Sequence, residues 1–157
     1  MTTSKQLANR LRELFLNGTW IAGTNYKLLL SGVDFKQASY QVETLNTIAK
    51  LTFHINYYLE GILQVFNGGP LSIKDQYSFD SPQIESENEW VQMRQNLFSN
   101  AELFANHVEK LTEAQLNSTF VDEKYGTYAR NIEGLIEHSY YHFGQIALIK
   151  KLTNTIT

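Results

Sequence analysis

Apolar residues recur along this chain at intervals of three and four, in four separate stretches. That spacing gathers side chains on one face of an α-helix, whereas a half-buried strand alternates every second residue. No strand-like alternation is sustained. In the first stretch Leu7, Leu11, Leu14 and Phe15 share a face, with Ser4 or Thr3 as candidate cap. This helix is expected to end near Asn17-Gly18, where glycine suits a C-terminal cap. A connector from Thr19 to about Tyr40 follows, carrying Trp20, Gly23 and Gly32, and the part from Tyr26 to Leu30 fits a short helix.

The second stretch runs from about Thr44 to Phe66, with Ile48, Leu51, Ile55, Leu59, Ile62 and Phe66 as its stripe, and Asn67-Gly68-Gly69-Pro70 stops it. Residues Asn67 to Glu85 hold both prolines, Pro70 and Pro82. That segment is too long for a tight helical hairpin, so it is a crossover or a lid. Ser86-Glu87-Asn88-Glu89 reads as a capping box ahead of a third helix, buried through Trp90, Leu97, Leu103, Phe104, Val108 and Leu111. After a connector from Thr112 to Gly126, the fourth helix runs from near Thr127 to about Leu152, with Lys150 and Lys151 set against its C-terminal dipole. The fold expected is all-α: one domain over residues 1–157, built as a four-helix bundle.

Composition narrows the function more than the fold. A chain of 157 residues buries roughly two-thirds of its unfolded surface and needs no metal or disulfide merely to fold. The net charge is only -3 and no basic stripe interleaves with aromatics, which argues against a nucleic-acid partner. Zero cysteines exclude disulfides, thiolate ligands and a cysteine nucleophile. The N-terminus is amphipathic, unlike a secretory leader, and no apolar run reaches membrane-spanning length, so a cytoplasmic location off the membrane is expected.

The candidate chemistry lies in the histidines. His138 and His142 stand four residues apart on the fourth helix, a spacing one metal ion can bridge. Taking roughly 100° per residue, both sit on one shoulder of the apolar stripe, with Gln145 close by. His54 occupies the matching shoulder of the second helix, with Tyr58 one turn on. Packed stripes would bring the three imidazoles together at the rim. The alternative for each histidine is a partly buried ring bonded to a carbonyl, and spacing alone leaves both readings open. His107 has no such companion and is read as structural or surface. Asn131, two turns before His138, is a candidate to orient the ligands.

The run Glu137-His138-Ser139-Tyr140-Tyr141-His142-Phe143-Gly144-Gln145-Ile146 resembles the signature of the DinB-like (DinB/YfiT) superfamily, a His-x-x-x-His helix followed by Gly-Gln-Ile or similar. Leu51-Thr52-Phe53-His54-Ile55-Asn56-Tyr57-Tyr58 is similar to that superfamily's second-helix segment, which contributes one histidine. Gly18-Thr19-Trp20, Gly23 and Leu28 to Val33 resemble its first loop, and Trp90 the tryptophan that often opens its third helix. The resemblance spans nearly the whole chain in order. It implies an up-down-down-up bundle with a long crossover between helices 2 and 3, and a metal triad of His54, His138 and His142. The superfamily includes glutathione- or mycothiol-dependent isomerases, bacillithiol-dependent S-transferases and many members without assigned activity.

Three neutral imidazoles suit zinc, nickel or iron(II) and leave positions open for a further ligand. The leading expectation is activation of a low-molecular-weight thiol for transfer to an electrophile, with Tyr58 and Gln145 orienting the small-molecule substrate. Metal-assisted hydrolysis ranks second, because it usually wants a carboxylate base and Glu137 points about 100° away from His138, with Glu133 no better placed. A third reading is a non-catalytic bundle that binds metal or dimerises, its nine Tyr and nine Phe serving a pocket, a homodimer interface or the core.

Overall fold

Leu7, Leu11, Leu14 and Phe15 are all sealed from solvent, but they come from two kinds of helix. In the computed structural model, which describes residues 2–154, helix α1 (Thr3–Arg12) passes directly into a π-helical turn at Glu13–Asn17. Thr2, not Ser4 or Thr3, is the capping residue, and Ser4 is buried within the first turn. The turn ends at Gly18 as expected, for a different reason. Gly18 has an extended backbone (φ -98), so left-handed freedom is not what selects it. A Cβ there would collide with the Glu13 side chain and backbone.

Two short helices occupy the connector. Helix α2 (Tyr26–Leu30) is capped by the Asn25 side chain, and α3 (Phe35–Ser39), which periodicity does not announce, by Asp34. Each cap accepts a hydrogen bond from the backbone three residues on, at 3.0 and 2.8 Å, a contribution of about 1 kcal/mol apiece. Helix α4 (Ile48–Phe66) begins at Ile48 instead of about Thr44, because Thr47 caps it through the Lys50 N–H. Helix α5 (Glu87–Lys110) starts behind Ser86. The Glu89 carboxylate accepts from the Ser86 hydroxyl and from the Glu85 N–H, one residue earlier than the usual box. Helix α6 (Glu113–Leu116) is a single turn within the second connector, closed by a Thr112/Gln115 capping box. Helix α7 (Tyr128–Thr153) follows the Thr127 cap.

The described residues contain no strand, only one bridge between Thr119 and Thr127. Residues 1 and 155–157 of the expected domain lie outside them. Helix α1 packs on α5, α5 on α4, α4 on α7 and α7 on α1. The register is fixed by a few polar and aromatic pairs. Thr3 N–H donates to Glu113, and the Arg12 guanidinium reaches Asn106 and Glu109, each at 2.7 Å. Asn100 donates to Asn56 at 2.9 Å, and the Phe66 ring lies 5.0 Å from Phe104 and 5.9 Å from Tyr128. Trp90 is wholly buried and gives its indole N–H to the Val33 carbonyl at 2.7 Å, locking α5 to the loop after α2. Among the described residues no helix is long and apolar enough to cross a membrane.

The segment 67–85 runs back along α4. Ser72 bonds Gln64, Tyr57 both donates to and accepts from the Lys74 backbone, and Tyr58 donates to Asp75. A 3₁₀ turn at Asp75–Tyr77 then delivers Ser78 and Phe79 to the level of His54.

Candidate metal centre

His54 stands mid-way along α4 because its neighbours Leu51 and Ile55 fill the core, leaving position 54 on the shoulder that faces α7. His138 and His142 occupy the corresponding shoulder of α7, flanked by buried Leu135, Ile136, Phe143 and Ile146. The structure brings all three rings together. His54 Nε2 lies 3.1 Å from His138 Nε2, and His142 Nε2 lies 2.9 Å from the same atom. His54 and His142 are buried and His138 is half-buried.

The other ring nitrogens explain the orientation. His54 Nδ1 is 3.1 Å from the Ser78 carbonyl, and His142 Nδ1 is 2.6 Å from Gln145 Oε1. Both oxygens can only accept, so both Nδ1 atoms carry the proton and both Nε2 atoms present bare lone pairs. Those lone pairs point at a third nitrogen, which has at most one proton to offer. A cation between them resolves the conflict, and three imidazoles whose distal N–H groups are held by carbonyl-type acceptors form the donor set such an ion takes. The three histidines are thus able to hold a metal ion.

Electrostatics favour the neutral form of all three rings. Burial lowers all three histidines, and the His142 and His54 neighbours add to it at His138, which falls to about 4. For His54 the Ser78 carbonyl and the Asp75 charge work against burial without overcoming it, and Gln145 does the same for His142.

The segment 67–85 supplies one wall and helices α4 and α7 the others. Phe79 stacks on His54 with ring centres 3.8 Å apart and planes 7° from parallel. Tyr58 sets its ring edge-on to His54 and His138, at 5.2 and 5.1 Å, while its hydroxyl donates to Asp75 at 2.9 Å. Beside His138 a cleft of about 390 Å³ opens, with Tyr58, Ile62 and Leu135 as its apolar lining and Arg130 and Asn131 as its polar one.

The sequence places His54, His138, His142, Tyr58 and Gln145 near one another, and the structure does too. Gln145 meets His142 directly. Asn131 does not orient a histidine: its amide donates to the Tyr125 and Thr127 carbonyls, tying down the start of α7. Its place two turns from His138 is too far along the helix axis for a short side chain to bridge. His107 stands apart beside Phe66, as a structural residue would. Glu137 pairs with Arg130 on the exposed side. Sequence reasoning misses Ser78, Phe79 and Asp75, whose only signal is an aromatic and a carboxylate within a polar, proline-bearing run. No family model, no curated protein and no solved structure matches the chain.

Proposed function

We propose that this chain is a metal-dependent enzyme of the DinB-like kind, in which His54, His138 and His142 hold one divalent ion and a low-molecular-weight thiol is transferred to an electrophile. The observation that carries the proposal is the meeting of three Nε2 atoms, with those of His54 and His142 within 3.1 Å of that of His138 and both fixed as acceptors from behind. The fold assigned is a single four-helix bundle of α1, α4, α5 and α7. The end of α1 meets Asn106 within α5 and its start meets Glu113 of α6, just past the end of α5, so α1 and α5 oppose one another; α4 and α5 rise together, and α4 and α7 oppose one another. These pairs support up-down-down-up connectivity, with residues 67–85 as the crossover.

Zinc, nickel or iron(II) fits three neutral imidazoles. When bound, such an ion lowers the pKa of a thiol or water at its open position. The chain's own residues do the rest. Ser78 and Gln145 fix ring tautomers, Phe79 shields His54 from water, and Tyr58 forms the wall against which a small molecule rests. Since the chain has no cysteine, the nucleophilic sulfur is the cosubstrate's.

Hydrolysis is the second reading, and Asp75 favours it. Its negative charge is close enough to act on both His54 and His138, which places a carboxylate at the site where Glu133 and Glu137 supply none. Metal analysis of purified chain should find about one divalent ion, lost in His54→Ala. Metal-dependent conjugation of a cellular thiol to an electrophile is then expected. Turnover of an ester without any thiol, abolished in Asp75→Asn, would select hydrolysis. Metal-free protein whose stability ignores His54→Ala would sink both.

A further inference from the structure

We infer that the cleft beside His138 selects a thiol carrying a carboxylate, with Arg130 as the anchor for that anion. The inference rests on the thiol reading of the metal centre and adds the class of thiol. Arg130, Gly134 and His138 are spaced four apart on α7 and line the same cleft. Gly134 leaves the path between the other two open, since a Cβ there would meet nothing within 4 Å.

Side chains on a helix lean toward its N-terminus, yet Arg130 extends the other way. Its Nη1 reaches Glu137 Oε2 at 3.1 Å, which carries the guanidinium along the helix axis in the direction of His138, on the exposed side of the cleft. It is the cation of the cleft lining, among Tyr58, Ile62, Leu135 and Asn131. Asn131 spends its amide N–H groups on Tyr125 and Thr127 and so offers an anion nothing. Lys124 stands over the Tyr125 ring and pairs with Asp122.

Arg130 and Glu137 are each 61% exposed, so their pair is easily opened. A carboxylate entering the cleft meets a planar fork of donors matched to its two oxygens. The Cα atoms of Arg130 and His138 are about 12 Å apart along the helix, much of which the arginine side chain itself spans. A thiol acid of several carbons bridges the remainder, sulfur toward the histidines and carboxylate toward Arg130.

The test uses the full chain loaded with cobalt(II), whose thiolate complexes absorb distinctively, titrated with mercaptohexanoate and mercaptohexanol. The acid should bind about tenfold more tightly than the alcohol, the low end for a charged hydrogen bond at a partly exposed group. Arg130→Gln should erase that preference and leave the alcohol unchanged. Glu137→Gln, which frees the guanidinium, should widen it, a direction no structural role for the pair would give. Equal binding of the two thiols, or a preference that survives Arg130→Gln, overturns the inference. If cobalt loads but neither thiol alters its spectrum, the thiol reading itself has failed. The anchor is then judged by calorimetry of the metal-free chain with hexanoate and hexanamide: a preference for hexanoate that needs Arg130 sustains it, and equal binding overturns it.

Discussion

Gly61 of α4 and Ile73 of the crossover touch so closely that no methyl fits between them: a Cβ on Gly61 would lie 2.5 Å from Ile73 Cγ2 and 2.6 Å from its Cδ1. Glycine inside a helix costs about 1 kcal/mol against alanine, and here the cost allows the crossover to lie flat on α4. The bonds from Ser72 to Gln64 and from Tyr57 to Lys74, on either side of that contact, depend on the approach.

Gly61→Ala should therefore gain helix propensity yet loosen the crossover. The expected result is faster limited proteolysis within residues 67–85 at nearly unchanged helix content. Adding Ile73→Ala should restore resistance. A single variant as resistant as the parent would show that the crossover adjusts without cost.

Gln145→Leu removes the acceptor behind His142 while keeping the bulk of the side chain. Outer partners of ligating histidines typically contribute tenfold to a hundredfold in metal affinity. Competition with a chromogenic chelator should show a loss in that range, with the thermal midpoint of the metal-free chain little moved. Equal affinity would mean that His142 is oriented by packing alone.

Phe79→Ala opens the stacked face of His54. Full burial of such a ring contributes roughly 3–5 kcal/mol, and Phe79 is only partly buried, so a loss of about 1–2 kcal/mol in urea unfolding is expected. The more specific outcome is faster metal release, measured by stopped-flow mixing with chelator. Unchanged release would remove Phe79 from the shielding role.

The histidine shifts set a pH dependence. In the metal-free fold His138 titrates near 4, below the ordinary 6.5, so between those values the unfolded chain binds more protons. Stability should be fully present above about pH 6.5 and fall as pH drops toward 4, with His54 and His142 shifted the same way. Denaturant midpoints at pH 7.5 and 5 compare the plateau with a point well inside the fall. His138→Gln should flatten the difference, and an unchanged slope would place the destabilising proton elsewhere.

Much of this is legible in the sequence because long helices repeat themselves. Helices α4, α5 and α7 each supply enough turns for the stripe to stand out, and His138 and His142 inherit their common face from that period. Helices α3 and α6, five and four residues long, have no period to display and depend on single caps at Asp34 and Thr112. The contacts that orient the site fare worst. Ser78 is 24 residues from His54 in a segment without periodicity, so no count along the chain could pair them. Gln145 is the exception, since it lies three residues from His142 on the same helix.

The 3₁₀ turn at Asp75–Tyr77 grips two things at once: its Asp75 carboxylate holds the Tyr58 phenol, and the adjoining Ser78 carbonyl holds the His54 ring. Loss of that turn would deprive the His54 ring and the Tyr58 phenol of their partners together. If the three histidines hold an ion, the orientation of one donor and the placement of the neighbouring aromatic wall thus share a single anchor, and a chelator would be expected to strip that ion faster from any variant that unfastens it.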